Sequence, residues 1–202
     1  MWKAGLVVAS AGNVSRRISS ELVAITPTSV GYDVMTEDEV VVVEIETGNS
    51  IESSRKPSYE LPMHLAIYRA RADVRGVIHT HAPFVTTLSV LRRPLPPVID
   101  EMMLYFGGTV EVADYAFTGT PDVGTNVVRA LGDRTAAMLA NHGNVCVGRD
   151  LPEALHVAVS MESAARVYVQ ALSIGMPVAL PDSAVDAGRR LFDEKRWIWR
   201  RS

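Results

Sequence analysis

The stretch VIHTHAPF, residues 77–84, decides how this chain is interpreted. It is an apolar run that ends in two histidines, His79 and His81, in a chain with five histidines in all. Because residues i and i+2 of a β-strand project from the same face, the two imidazoles would lie side by side and could share one cation. Two polar residues at the end of a strand are also an ordinary structural feature, so the pair alone leaves both interpretations open.

A metal site needs further ligands, and the sequence offers two competing sets. His142, in LANHGNV, lies where a strand-like run ends, so a rigid element would hold it accessibly. Glu60 precedes a helix that has Pro62 in its first turn, where a carboxylate either favours the helix dipole or serves as a ligand or base. Glu60 and His64 are spaced i, i+4, so they form an alternative ligand pair.

Composition limits the function classes. The 202 residues are 48% hydrophobic and 21% charged, with a formal net charge of −3, so the basic surplus of nucleic-acid-binding proteins is missing. The single cysteine, Cys146, excludes an intrachain disulfide, and no stretch approaches the roughly 20 apolar residues of a membrane span. The opening residues do not have the pattern of a signal peptide. We therefore expect a cytoplasmic protein without nucleic-acid or membrane partners.

Strands and helices alternate along the chain. Short runs rich in Val, Ile or Thr predict strands at 22–26, 40–45, 74–80, 108–116 and 135–148. Amphipathic stretches predict helices at 61–72, 120–132, 150–175 and about 182–198. Because hairpin-like neighbours also occur, we predict an α/β fold: one three-layer α/β/α domain over residues 1–202, with a mixed, largely antiparallel central sheet.

Two loops of small residues could present backbone N–H groups to an anion. They are SAGNVSRR, residues 10–17, and ITPTSVGYD, residues 25–33. Each is an ordinary turn when taken alone. Together with Ser58 they would make a phosphate cradle of neutral donors.

The sequence resembles the class II aldolase/adducin family, in particular its L-fuculose-phosphate aldolase-like members. The similar segments follow in order along nearly the whole chain: SAGNVSRR, ITPTSVGYD, KPSYELPMHLAIYRA, VIHTHAP, YAFTGTP and LANHGNVCVG. The resemblance implies a divalent metal, usually zinc, although three imidazoles and a carboxylate suit several metals. The implied ligands are Glu60, His79, His81 and His142. His64 then either supports the metal ligands without binding the metal or packs within the helix layer.

The resemblance also implies the reaction and the assembly. A ketose 1-phosphate, such as L-fuculose 1-phosphate, would be cleaved to dihydroxyacetone phosphate and a small aldehyde, with Glu60 as a proton-transfer group. The implied phosphate and substrate residues are Gly12, Asn13, Thr28, Ser29, Ser58 and Tyr59. The protein would be a homotetramer with active sites between subunits. The alternatives are a related sugar-phosphate dehydratase, decarboxylase or epimerase, or a non-catalytic adducin-like interaction module.

Three positions depart from the family pattern. Tyr59 stands where the fuculose-phosphate enzyme has a second serine, which removes a small hydroxyl and adds bulk. Glu101 aligns with a tyrosine that the family uses as a proton donor from the neighbouring subunit, so it is either a catalytic acid/base or a solvated helix residue. Tryptophans, Trp197 and Trp199, stand where the family has a tyrosine near the end of the chain.

Overall fold

The computed structural model describes residues 1–51 and 53–199, with side chains as far as Lys195. The strands are β1 (Asn13–Arg17), β2 (Leu22–Ile25), β3 (Val41–Glu44), β4 (Ser50–Ile51), β5 (Gly76–Thr80), β6 (Val112–Ala113), β7 (Ala136–Leu139) and β8 (Gly143–Gly148). The helices are α1 (Leu61–Ala70), α2 (Pro83–Val90), α3 (Asp100–Phe106), α4 (Pro121–Leu131), α5 (Leu151–Ile174) and α6 (Asp182–Trp199). None of these helices is both long and apolar enough to cross a membrane.

The strands form one mixed sheet in the order β4-β3-β2-β1-β5-β8-β7-β6. Every neighbouring pair is antiparallel except β6 and β7, which run parallel. The predicted α/β class with a mixed, largely antiparallel sheet is confirmed.

Helices cover both faces of this sheet, as alternation along the central strand requires. Val77 of β5 packs in a core with residues of α1 and α4, whereas Ile78 packs with residues of α2, α3 and α5 on the opposite face. Both side chains are almost completely buried, and each contributes about 1.5–3 kcal/mol of hydrophobic stabilisation. The result is the predicted α/β/α layering.

Two local predictions need correction, and both concern the future site. The single strand predicted over 135–148 is a hairpin, because the chain reverses at Asn141, which adopts a left-handed backbone with φ 59°. The segment around Asn13, predicted only as a turn, continues as β1 in the middle of the sheet. Its register places Asn13 opposite His79 of β5. Short strands of small and polar residues lack the apolar alternation that would have identified β1.

Candidate metal centre

Four side chains meet at the end of β5 although they are far apart in sequence: Glu60, His79, His81 and His142. Each offers one ligand atom, and these atoms all lie within 4.8 Å of one another. The three imidazole centroids form a triangle with sides of 4.8 Å. Ligand atoms bound tetrahedrally at about 2.0–2.1 Å from one cation lie roughly 3.3 Å apart, so the cluster has the size of a metal site.

Three parts of the fold deliver these ligands. His79 and His81 lie at the end of β5, as their i, i+2 spacing predicts. His142 lies in the turn between β7 and β8, and β8 pairs with β5, so the turn lies beside the end of β5. Glu60 is the residue immediately before α1, and its backbone N–H donates to Ser58 Oγ at 3.3 Å.

The carboxylate of Glu60 is wedged between two imidazoles. Its Oε2 lies 3.0 Å from His79 Nε2, and its Oε1 lies 3.3 Å from His142 Nε2. His79 Nε2 also lies 2.9 Å from His81 Nε2. A cation at the centre of the cluster would accept lone pairs from these oxygen and nitrogen atoms at the same time.

The tautomer of His79 follows from the hydrogen bond that its Nδ1 makes. Its Nδ1 lies 2.9 Å from the backbone oxygen of Asn144, and a carbonyl oxygen only accepts, so Nδ1 carries the proton. The lone pair of Nε2 therefore points into the cluster, as a metal-ligating histidine requires. Asn144 is itself fixed, because its Oδ1 accepts a hydrogen bond of 2.6 Å from Thr80. This donor set fits a divalent metal such as zinc.

Burial and neighbouring groups shift the pKa values of three of the ligands, His81, His142 and Glu60, toward their metal-binding protonation states. Burial, reinforced by His79 and His142, lowers the pKa of His81 to about 4, and burial also lowers the pKa of His142. For Glu60, burial raises the pKa, but His79, His142 and a hydrogen bond from Asn13 outweigh it and hold the pKa well below its usual range. Neutral imidazoles and an ionised carboxylate are the forms that bind metal.

A buried chain of hydrogen bonds connects Glu60 to the protein interior. Asn13 Nδ2 donates to Glu60 Oε2 at 2.8 Å, so Asn13 Oδ1 faces the other way and accepts from His64 Nε2 at 2.5 Å. His64 Nδ1 must then accept from Ser15 Oγ, which lies 2.6 Å away. Burial lowers the pKa of His64 to about 3, consistent with this neutral, fully engaged ring. The alternative ligand pair of Glu60 and His64 therefore does not fit.

The same contacts give Gly12 and Asn13 a place beside the ligands. Gly12 has φ 77°, and a Cβ there would lie 2.6 Å from the backbone oxygen of His79, so a larger residue would push β1 away from β5. The side chain of Asn13 is buried between Glu60 and His64. Their role in binding phosphate stays a prediction.

The loop of residues 25–33 and the segment that carries Ser58, both predicted to bind phosphate, are joined by a short bridge between Pro27 and Pro57. The backbone N–H groups of Thr28 and Ser58 are both used to make this bridge, in hydrogen bonds of 3.1 and 3.0 Å to the facing backbone. A phosphate here would therefore bind to side-chain hydroxyls and the N–H groups of later residues. Ser29 is exposed and has φ 60°, which turns the chain sharply at this point.

Tyr59 and Glu101 lie in different surroundings. Tyr59 is 60% exposed, and one side of its ring packs on Gly119. Glu101 is exposed in the first turn of α3, which packs on α5 and α6, and no contact among the described residues joins it to the cluster. The side chains of Trp197 and Trp199 lie outside the described residues.

Two contributors to the site were not anticipated from the sequence. Asn144 acts through a backbone oxygen, which leaves no sequence signal. Thr118 Oγ1 donates to Glu60 Oε1 at 3.0 Å. Thr118 lies in YAFTGTP, one of the segments that carry the family resemblance, and that segment was the available hint.

The fold and the cluster together define a class of α/β enzyme with a carboxylate-and-imidazole metal site at the end of a central strand. A sequence profile described as the class II aldolase and adducin N-terminal domain matches residues 1–169. The chain belongs to the class II aldolase and adducin family.

Curated relatives include aldolases that differ in substrate. The chain is 34% identical to 5-deoxy-D-ribulose 1-phosphate aldolase of Bacillus thuringiensis over 96% of its length and 90% of the relative. It is 35% identical to L-fuculose phosphate aldolase of Escherichia coli K12 over 88% of its length and 81% of the relative.

Solved structures agree with this family. One L-fuculose 1-phosphate aldolase superimposes with a TM-score of 0.89 at 35% identity, covering 95% of this chain and 90% of the other. YgbL of Klebsiella pneumoniae, described as a putative aldolase/epimerase/decarboxylase, superimposes with a TM-score of 0.85 at 26% identity, covering 93% and 91%.

Proposed function

We propose that this protein is a zinc-dependent aldolase that cleaves a ketose 1-phosphate to dihydroxyacetone phosphate and a small aldehyde. The observation that carries the proposal is the convergence of Glu60, His79, His81 and His142, with ligand atoms within 4.8 Å of one another. Similarity to two sugar-phosphate aldolases at 34–35% identity supports the same chemistry.

Glu60, His79, His81 and His142 would hold the metal ion. When bound there, zinc would supply a Lewis acid for the negative charge that develops on a substrate carbonyl oxygen during C3–C4 cleavage. His79 is suited to this role because its Nδ1–H bond to Asn144 fixes the ring and its tautomer.

Proton transfer is assigned to Glu60. Cleavage removes a proton from the C4 hydroxyl and adds one to C3, so one group must accept and one must donate. Glu60 is ionised, its side chain keeps 12% exposure to the surroundings of the cluster, and Asn13 anchors one of its oxygens. We assign the proton at C3 to Glu60, whose ionised carboxylate accepts it in the aldol direction and whose protonated form returns it to C3 in cleavage. Glu101, from a neighbouring subunit, is the candidate that accepts the hydroxyl proton in cleavage.

Phosphate recognition is proposed at the joined loops next to Glu60. Ser58 lies two residues before Glu60 in the chain, and the bridge to Pro27 brings Thr28 and Ser29 close to it. Binding energy from a phosphate held there, away from the reacting bond, would position the ketose over the metal. Tyr59, on the exposed side of this site, would limit the space around the phosphate.

The relatives leave the sugar open between L-fuculose 1-phosphate and 5-deoxy-D-ribulose 1-phosphate. The test is to load the protein with zinc, offer each sugar phosphate separately, and measure dihydroxyacetone phosphate with a coupled dehydrogenase. We expect release from at least one, and none from His81→Ala, which should also lack bound zinc. Zinc binding without release from either would favour a dehydratase, decarboxylase or epimerase, and absence of zinc would favour the non-catalytic module.

Assembly, compartment and domain extent complete the proposal. We propose a homotetramer in which each active site includes groups from a neighbouring subunit, because the family resemblance implies this assembly and no described contact joins Glu101 to the cluster of its own chain. Light scattering coupled to gel filtration should give four times the 22.0 kDa chain mass. The cytoplasm stays the predicted compartment, and a single domain over residues 1–202 stays a prediction.

A further inference from the structure

Residues 117–120, the last part of the loop that joins β6 to α4, contact the metal centre through the Thr118 hydroxyl. Thr118 Oγ1 lies 3.0 Å from Glu60 Oε1, and an ionised carboxylate only accepts, so the hydroxyl donates. On the other oxygen, Asn13 Nδ2 donates to Oε2 at 2.8 Å. Each carboxylate oxygen of Glu60 thus receives one hydrogen bond from a neutral donor, and the two donors come from unconnected parts of the fold.

The loop is fixed against the segment that carries Glu60. Gly119 has φ 79°, and a Cβ there would overlap the ring of Tyr59, the residue directly before Glu60. Thr120 closes the loop, because both its backbone N–H and its hydroxyl donate to the Phe117 backbone oxygen, at 3.2 and 2.7 Å. Thr118 therefore has a defined position relative to Glu60.

The neutrality of the two donors matters for a metal ligand. A lysine or arginine on Glu60 would compensate the carboxylate charge and compete with a cation for it. A hydroxyl and an amide hold the oxygens in place and leave that charge for the metal. Hydrogen-bond partners of this kind orient the residues that bind the metal, and removing one typically changes metal affinity or activity about 10–100-fold.

We infer that Thr118 is a positioning residue, which holds Glu60 Oε1 so that the carboxylate keeps one orientation toward the cation. This inference rests on the proposed function, because it takes Glu60 as both ligand and proton-transfer group. It assigns no direct contact of Thr118 with the substrate.

The test compares two substitutions that differ in one donor. Thr118→Val keeps the shape and removes the hydroxyl, whereas Thr118→Ser keeps the hydroxyl and removes the methyl group. Thr125→Val is the matched control, because Thr125 lies exposed on α4 and its hydroxyl donates to the Pro121 backbone oxygen, away from the cluster. Each metal-free protein is titrated with Zn²⁺ against a competing chelator, and kcat and KM are then measured at saturating zinc.

We expect Thr118→Val to bind zinc about 10–100-fold more weakly than the parent and to lose kcat with little change in KM. Thr118→Ser should recover most of both losses, and Thr125→Val should match the parent. Thermal melts of the metal-free proteins establish that each variant is folded.

Parental zinc affinity and kcat in Thr118→Val overturn the inference while leaving the aldolase proposal intact. Equal losses in Thr118→Val and Thr118→Ser also overturn it, because they indicate loop packing rather than the hydroxyl. A parent protein that binds no zinc at all would refute the proposed function, and this inference with it.

Discussion

Replacing Glu60 with glutamine separates the two roles proposed for this side chain. The substitution keeps the shape, removes the negative charge and turns one oxygen into an NH₂ group. Asn13 Nδ2 can only donate, and it lies 2.8 Å from Oε2, so the glutamine oxygen must face Asn13. The NH₂ group then faces Thr118, 3.0 Å from Oε1, whose hydroxyl can rotate and accept. The variant should therefore fold.

The variant should keep most of its bound zinc but lose most of its catalytic rate. His79, His81 and His142 remain, and three protein ligands are enough for a catalytic zinc site. An amide cannot exchange a proton at neutral pH, so the general acid–base contribution of about 10²–10⁴-fold in rate is lost. This corresponds to about 2.7–5.4 kcal/mol of transition-state stabilisation.

The assay measures zinc per chain by elemental analysis and kcat at saturating zinc with the better of the two ketose 1-phosphates. A second readout is deuterium incorporation into dihydroxyacetone phosphate in D₂O, which reports the proton exchange at carbon without cleavage. Glu46→Gln is the control, because Glu46 is exposed and its side chain makes no described contact with the site. Zinc-loaded Glu60→Gln with parental turnover and exchange would remove Glu60 from proton transfer.

Three more results are expected. With free zinc at 1,000 times its dissociation constant, removing the metal with a chelator should lower the free energy of unfolding by about 4.1 kcal/mol. In calorimetry the melting temperature should fall by roughly 8–16 °C, and an unchanged melting temperature would contradict zinc binding by the folded protein. Glu101→Gln should keep its zinc and lose at least about 100-fold in kcat, and an unaffected rate would make Glu101 a surface residue. The pKa of His64 is about 3 in the folded protein against a usual 6.5, so a proton on His64 favours the unfolded chain. The contribution of the neutral ring to the free energy of unfolding is therefore complete above pH 6.5. It is lost as the pH falls toward 3, by up to about 1.4 kcal/mol per pH unit. Urea unfolding of the metal-free protein should therefore depend more steeply on pH in this range than that of His64→Gln, and equal slopes would show that His64 is not the cause.

Part of the fold was accessible from the sequence because it depends on local rules. Alternating and helical apolar patterns located α1, α4, α5 and α6 and most of the central strands. The i, i+2 spacing correctly placed His79 and His81 side by side. The short helices α2 and α3 were not predicted, and the 135–148 run was predicted without its reversal, because one left-handed residue such as Asn141 is enough to turn a chain.

The sequence by itself determined which chemical groups were available, the class of fold, and the family. It left His64 and His142 as rival partners of Glu60, because spacing along a helix says nothing about what lies across the sheet. The family resemblance favoured His142, and the tertiary structure gives the physical reason. The pairing of β8 with β5 carries His142 to the cluster, and the pairing of β1 with β5 places Asn13 between Glu60 and His64. The physical reason is that periodicity is encoded locally, whereas the meeting of distant ligands depends on strand register and on contacts between loops far apart in sequence, such as that of Thr118 with Glu60.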